Sequence, residues 1–142
     1  MDFPSINQKE AEGVSPGGVP YKILIVDDSM FVKKQLGQIL TSEGFEVVDS
    51  ASNGEEAIEK YKQHFPNVDL VTMDITMPGM DGVTALERIV AFDKEAKVVM
   101  VSALGKQDLV KKSFLLGAKN YIVKPLDRKK VLERIVRVIK GS

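Results

Sequence analysis

The sequence predicts an α/β fold in which five parallel strands form a doubly wound sheet with helices on both faces. Two observations carry this prediction. Five apolar runs alternate with five helical patterns over about 120 residues, a spacing typical of β-α-β units with right-handed crossovers. The runs are also nearly continuous in apolar residues, as expected of strands that are buried on both faces.

The strand candidates are short apolar runs that begin after Tyr21. A run of this kind that breaks directly into a polar or Pro/Gly segment is typical of a buried strand ending at a loop. The five candidates are Lys22 to Val26, Phe45 to Ser50, Asp69 to Met73, Lys97 to Val101 and Lys119 to Val123.

The helix candidates are marked by apolar residues at helical spacing and by capping or stop residues. The first runs from about Ser29 to Glu43 before Gly44, and the second is opened by the capping-box pattern Ser52-Asn53-Gly54-Glu55. The third carries Val83, Leu86, Ile89 and Val90, and the fourth runs from about Lys106 to Leu116 before Gly117. The fifth, which Asp127 can cap, reaches about Lys140.

Length and charge narrow the class of protein. The 142 residues suit one domain with one core. Residues 1–20 are rich in Pro and Gly and poor in apolar residues, which predicts a flexible tail, and residues 21–142 form the predicted folded domain. Twenty basic and twenty acidic residues cancel, so bulk charge gives no indication of a nucleic-acid or membrane-surface partner.

Cysteine content and hydropathy exclude further classes. The chain contains no Cys, which excludes disulfides and thiolate metal sites. No apolar run approaches the roughly 20 residues that span a bilayer. The N-terminal residues also lack the basic and apolar regions of a secretory signal. We therefore expect a cytoplasmic protein without a membrane span.

Carboxylates follow two of the predicted strands. Asp27 and Asp28 end the first strand, and Asp74 ends the third, just before a Pro78-Gly79 turn. Ligands of open α/β sheets bind outside the carboxyl ends of the strands, so three carboxylates would converge there. Their repulsion calls for a hard cation, and Mg²⁺ accepts carboxylates, water and a substrate phosphate. Taken alone, the Asp27-Asp28 pair is equally well explained as a helix N-cap beside a solvated acid.

Two further strand ends carry polar residues. Lys124 follows the fifth strand and can reach a phosphoryl oxygen, although a lone lysine there is usually a solvated charge. Ser102 ends the fourth strand and its hydroxyl can donate to such an oxygen, although a serine there is more often a turn or cap residue. Neither common glycine motif for cradling phosphate occurs, so nucleotide binding in the usual modes is not expected. The only histidine, His64, belongs to no cluster in the sequence.

Four segments together resemble one known family. They are Val26-Asp27-Asp28-Ser29, Met73-Asp74-Ile75-Thr76-Met77-Pro78, Ser102-Ala103 and Tyr121-Ile122-Val123-Lys124-Pro125. With these segments the chain resembles the receiver domain of two-component response regulators, and among them the single-domain, CheY-like chemotaxis type. The resemblance covers about residues 21 to 140 and implies a flavodoxin-like (βα)5 fold with strand order 2-1-3-4-5.

The resemblance implies a role for each residue of the predicted site. Asp74 would accept the phosphoryl group, and Lys124 would pair with Asp74 and then with that group. Ser102 would move inward to bond a phosphoryl oxygen. Tyr121 would follow it, turning from an exposed to a buried position.

The resemblance also implies a cofactor and partners. A histidine kinase would donate the phosphoryl group, and Mg²⁺ would assist the transfer. An output face formed by the fourth helix, the fifth strand and the fifth helix would bind a downstream protein, with the flagellar motor switch as the analogy. The Mg²⁺ ligands implied are Asp28, Asp74, the backbone carbonyl of Thr76 and, through water, Asp27.

Two other classes of function stay open beside this signalling module, which we expect not to be an enzyme. A Mg²⁺-dependent phosphatase would use Asp74 as nucleophile, but such enzymes commonly place a general acid two residues later, where this chain has Thr76. A scaffold that is never phosphorylated is the other class, and the complete set of pocket residues argues against it. The basic residues of the fifth helix are interpreted as a solvated face, with a basic patch that docks a partner or nucleic acid as the alternative; because no nucleic-acid motif accompanies them, nucleic acid is not an expected partner.

Overall fold

The computed structural model describes residues 11–141, and within them strands and helices alternate as predicted. No helix among these residues has both the length and the apolar character needed to cross a bilayer. The elements are β1 Lys22–Val26, α1 Met30–Thr41, β2 Glu46–Ala51, α2 Gly54–His64, β3 Leu70–Asp74, α3 Gly82–Phe92, β4 Val98–Ser102, α4 Gln107–Leu115, β5 Asn120–Val123 and α5 Arg128–Lys140.

The strands form one parallel sheet in the order β2-β1-β3-β4-β5, which confirms the predicted fold class and strand order. Alternate residues of a strand point to opposite faces, so each face has its own apolar layer. Leu24 and Met73 pack in the layer that includes residues of α2 and α3. Ile23 and Ile25 pack in the layer that includes residues of α1 and α5. With both faces covered, the two buried acids, Asp27 and Asp74, lie at the carboxyl ends of the strands.

The register of the strands brings their carboxyl ends to one edge of the sheet. Cross-strand partners there are Val26 with Met73, Asp74 with Val101, and Ser102 with Val123. β2, β3 and β4 each extend one residue beyond the apolar run that predicts them, to Ala51, Asp74 and Ser102, because backbone pairing continues past the run. The N–H of Ile75, for example, donates to the Val101 carbonyl at 3.0 Å.

The cap of α2 lies one residue later than the predicted capping box. Asn53 is the N-cap, and its side chain accepts the N–H of Glu56 at 2.8 Å. The Glu56 carboxylate in turn accepts the N–H of Ser52 at 2.6 Å. The sequence allows both registers, because Glu55 and Glu56 are adjacent and Asn caps helices as well as Ser does. Asp127 occupies the N-cap position of α5, where its side chain makes no capping hydrogen bond.

Residues 1–10 of the predicted flexible tail lie outside the described residues, and residues 11–20 contact the domain. The N–H of Gly13 donates to the Glu43 carbonyl at 2.8 Å, and the N–H of Tyr21 donates to the Gly13 carbonyl at 2.8 Å. A Cβ on Gly13 would collide with the Phe45 amide, so this approach requires glycine. The described part of the segment thus packs beyond the end of α1, and flexibility of the tail stays a prediction.

Candidate functional site

Three carboxylates meet at the carboxyl edge of the sheet. Asp27 and Asp28 follow β1, and Asp74 is the last residue of β3. One oxygen from each lies within 4.8 Å of the oxygens of the other two. Asp27 and Asp74 are only 2% and 4% exposed, whereas Asp28 faces solvent. The structure therefore brings together the three acids that the sequence singles out.

Lys124 bridges two of these acids. Its Nζ lies 3.1 Å from Asp27 Oδ2 and 3.5 Å from Asp74 Oδ1. The backbone fixes both ends of the bridge, since the Lys124 N–H donates to the Ser102 carbonyl at 2.7 Å and Asp27 Oδ1 accepts the Ser29 N–H at 2.9 Å. The lysine thus enters from β5 and lies against the buried pair of carboxylates.

The electrostatics of this cluster are unbalanced. Burial and the charge of Asp27 raise the pKa of Asp74 well above its ordinary value, and Asp28 adds to the rise while Lys124 opposes it. Burial lowers the pKa of Lys124, but the hydrogen bond to Asp27 and the charge of Asp74 outweigh it, so the net change is upward. Three carboxylates facing one ammonium leave excess negative charge. This excess charge lies on carboxylate oxygens, and a cluster of negatively charged oxygen ligands fits Mg²⁺.

A glycine at the start of α3 holds the strand end in place. A Cβ on Gly82 would collide with the Asp74 carbonyl oxygen, so the helix begins in direct contact with the strand. The Gly82 N–H donates to the Ile75 carbonyl at 2.8 Å, and Asp81 caps the helix by accepting the Thr84 N–H at 2.8 Å. The sequence shows Asp81 and Gly82 only as a turn, because the contact with Asp74 depends on the path of the loop.

Ser102 and Tyr121 lie beside a shared cavity. Ser102 ends β4 and is buried, and Tyr121 lies in β5 with its side chain partly buried. Both line a cavity of about 370 Å³, together with Leu104 and residues of α4. Thr76 lies exposed in the loop after β3. The roles assigned to these three residues stay predictions.

Two groups of contacts were not anticipated from the sequence. Arg134, interpreted there as a solvated charge of the last helix, donates from Nη1 to the Tyr121 carbonyl at 2.8 Å. Its position three residues after the buried Val131 places it beside the apolar stripe of α5, which is the one signal in the sequence. The other group joins His64 Nε2 and Lys60 Nζ to Asp49 carboxylate oxygens at 2.9 and 3.0 Å.

The family model of the response regulator receiver domain matches residues 23–136, a span that contains Asp27, Asp28, Asp74 and Lys124. The chain belongs to this family. Among curated relatives, the chemotaxis protein CheY of Treponema pallidum is 69% identical over 140 residues, which cover 99% of this chain and 97% of that one. CheY of Bacillus subtilis is 50% identical over 119 residues, or 84% of this chain and 98% of that protein.

Solved receiver structures share the architecture. One is described as the CheX-CheY-BeF3-Mg+2 complex from Borrelia burgdorferi; it has a TM-score of 0.89 and 57% identity, and the match covers 92% of this chain and 98% of that one. A CheY-like receiver domain from Methanospirillum hungatei has a TM-score of 0.79 and 31% identity, covering 85% and 94%. The receiver fold is thus shared over nearly all described residues.

Proposed function

We propose that this receiver domain is a stand-alone response regulator in which Asp74 accepts a phosphoryl group from a histidine kinase in a Mg²⁺-dependent reaction. One observation carries the proposal: oxygens of Asp27, Asp28 and Asp74 lie within 4.8 Å of one another, with the Lys124 ammonium against two of them. Such a cluster combines a nucleophilic carboxylate with the groups that offset the charge of a phosphoryl group. The presence of Mg+2 and BeF3 in the complex that contains the Borrelia burgdorferi CheY supports the same chemistry here.

In the transfer, an Asp74 carboxylate oxygen forms a bond to phosphorus while the P–N bond of the phosphohistidine breaks. The electron pair of that bond stays on the imidazole nitrogen, which takes up a proton, and an acyl phosphate forms on Asp74. The Lys124 ammonium lies 3.5 Å from Asp74 before the reaction and offsets charge on the phosphoryl oxygens. The Ser102 hydroxyl donates to one of those oxygens once the group is attached.

The residues that would hold the metal are Asp27, Asp28, Asp74 and the backbone carbonyl of Thr76. Mg²⁺ supplies positive charge beside the phosphoryl oxygens when it is bound. Asp28 is the acid that faces solvent, so it marks the side from which a phosphodonor reaches Asp74. Because the phosphoryl group ends on a side chain of the protein itself, the product is a switched signalling state rather than a released compound.

The output face of α4, β5 and α5 would then bind a target protein. Large apolar side chains are exposed on α4, among them Phe114 at 43% and Leu115 at 83%, and such residues support protein docking. The relatives named chemotaxis protein CheY support a role in chemotaxis, in the cytoplasm, with the flagellar motor switch as the first target to test. Ser102 ends β4 and Tyr121 lies in β5 of this face, and these two residues would carry the change from Asp74.

The test is phosphorylation by a small phosphodonor such as acetyl phosphate, with and without Mg²⁺, read by intact mass. We expect one added phosphoryl group in the wild type with Mg²⁺, none with EDTA, and none in Asp74→Asn. Asp49→Asn is the matched control, since it makes the same substitution at another lysine-paired aspartate and should label like the wild type. A pull-down with phosphorylated and unphosphorylated protein would then identify the target.

Other outcomes would favour the other two classes of function. Persistent labelling of Asp74→Asn would defeat the assignment of the phosphoacceptor. Sustained release of phosphate from added phosphoesters over many turnovers would favour a phosphatase. Failure to bind Mg²⁺ or accept phosphate, with partner binding intact, would favour a scaffold.

A further inference from the structure

The ring of Tyr121 contacts residues of two different helices. The Phe114 ring of α4 meets it edge to face, with centroids 6.0 Å apart and an interplanar angle of 89°. The Arg134 guanidinium of α5 lies 5.0 Å from the centroid of the Tyr121 ring. Both geometries are attractive, the first through the ring quadrupoles and the second through a cation–π interaction.

Arg134 is fixed in this position by the backbone of the same tyrosine. Its Nη1 donates to the Tyr121 carbonyl at 2.8 Å, a bond that does not depend on the rotamer of the tyrosine ring. The guanidinium is therefore already ordered, and the stacking contact costs little additional side-chain entropy. Tyr121 also packs against the apolar layer on one face of the sheet, and within residues 11–141 its hydroxyl has no hydrogen-bond partner, so the aromatic and cationic contacts of this ring position are those with Phe114 and Arg134.

A cavity beside Tyr121 offers a second position for its ring. Tyr121 lines the cavity of about 370 Å³ that also has Ser102 and Val110 on its wall. A ring that turned into this cavity would exchange its present contacts for new ones near Ser102. The energy of the contacts with Phe114 and Arg134 therefore enters the balance between the two ring positions.

We propose that Phe114 and Arg134 are positioning residues of the switch: they hold the Tyr121 ring where the structure shows it and so set how strongly phosphorylation must favour the turned state. This inference rests on the proposed function, because it concerns the regulation of the same site. Thermodynamic linkage fixes the direction in which analogue affinity must change when these contacts are weakened, whereas a merely structural role predicts no such direction. We call the two contacts from Phe114 and Arg134 to the Tyr121 ring the clamp. Weakening the clamp must raise the population of the turned state and must raise the affinity for a phosphoryl analogue by the same factor.

The experiment measures binding of beryllium fluoride, a phosphoryl analogue, in the presence of Mg²⁺ by full-length wild type, Phe114→Leu, Arg134→Lys and the double variant. Each single variant should bind the analogue about two- to fivefold more tightly, as expected from loss of one such contact, and the double variant more tightly than either. Phe114→Tyr keeps the edge contact and should return the affinity to the wild-type value. Incorporated 3-fluorotyrosine gives a second readout, with the Tyr121 resonance assigned by Tyr121→Phe. Without analogue, this resonance should shift in the variants toward its analogue-bound position.

Phe92→Leu is the matched control, because Phe92 is 44% exposed, contacts Tyr61 edge to face at 6.3 Å and 89°, and lies under the Lys62 ammonium at 5.4 Å. It should leave the affinity for the analogue unchanged. Unchanged or weaker binding by Phe114→Leu and Arg134→Lys, with normal binding by the wild type, would overturn the clamp and leave the proposed function standing. No binding by the wild type would overturn the proposed function, and the clamp with it.

Discussion

Two aspartates that each pair with a lysine have opposite environments. Asp49 lies in β2 with a side chain 26% exposed, and it accepts from Lys60, His64 and the Ser50 N–H. Asp74 is buried, and its neighbours include Asp27 and Asp28 as well as Lys124. The first is surrounded by donors, while the second shares one cation with other acids.

The pKa values of the two groups move in opposite directions. Burial raises the pKa of Asp49, but the hydrogen bonds from His64, Lys60 and Ser50 outweigh it and lower the pKa to about 2. Burial and the charge of Asp27 raise the pKa of Asp74 instead. Ionised Asp49 therefore stabilises the fold, whereas ionised Asp74 costs stability that a cation would recover. The contrast separates a structural ion pair from a site arranged for chemistry.

The largest expected effect comes from removing the two lysines in turn. Lys124→Met leaves buried Asp27 and Asp74 without their cation, and we expect a loss of about 3 kcal/mol in the free energy of unfolding with EDTA at pH 8. Lys60→Met affects a more exposed pair and should cost about 1 kcal/mol or less. Urea unfolding measures both. Protonation of Asp74 should reduce the Lys124→Met loss as the pH falls, and Mg²⁺ should stabilise this variant more than the wild type.

The matched variant provides the control, since Lys60→Met should gain from Mg²⁺ only what the wild type gains. Equal losses in the two variants would mean that the acids at the sheet edge are as well solvated as Asp49. A Lys124→Met protein that Mg²⁺ does not recover would show that the lysine and the metal do not offset the same charge.

Of the two aspartate environments compared above, the sequence predicts the one around Asp74 but not the one around Asp49. Asp27 and Asp74 directly follow apolar runs, and in a parallel sheet all such ends lie at one edge, so the site could be predicted without coordinates. The Asp49 cluster could not, because it depends on which side of α2 faces β2. Lys60 and His64 lie four residues apart on that helix, yet nothing in their spacing names Asp49 as the partner.

The dependence on tertiary contacts also explains the other differences between the sequence-based predictions and the structure. Strand ends followed from apolar runs to within one residue, but β3 and β4 extend through Asp74 and Ser102 because backbone pairing is indifferent to side-chain polarity. Charge alone indicates that Arg134 is solvated, and only the packing of α5 on β5 shows its contact with Tyr121. Periodicity thus places a residue on a face, while the partner across that face is set by tertiary packing.

A smaller effect is expected from Asp49→Asn, and it should depend on pH. The folded-state pKa of Asp49, about 2, lies below its ordinary value of 3.8, so its contribution to stability is fully present above pH 4 and is lost as the pH falls toward 2. The shift corresponds to about 2 kcal/mol at most, and partial exposure reduces this to about 1 kcal/mol. Urea unfolding of both proteins at pH 7, 5, 4 and 3 measures the difference, which should shrink only at the two lowest values. A difference constant across this range would assign the cost to lost hydrogen bonds rather than to charge.

The smallest expected effect concerns a second buried polar group in β3, and it tests whether Asp74 is the only residue of this strand that lowers the free energy of unfolding. Thr72, two residues earlier, is fully buried, and its hydroxyl is the one buried side-chain polar atom without a partner in residues 11–141. Thr72→Val keeps the shape and removes this group, so we expect a gain of up to about 1 kcal/mol in the free energy of unfolding, with phosphorylation of Asp74 unchanged. A loss of stability would show that the hydroxyl is satisfied in solution. A gain accompanied by weaker phosphorylation would instead make Thr72 part of the site, so that the strand would carry two groups whose cost in stability serves function.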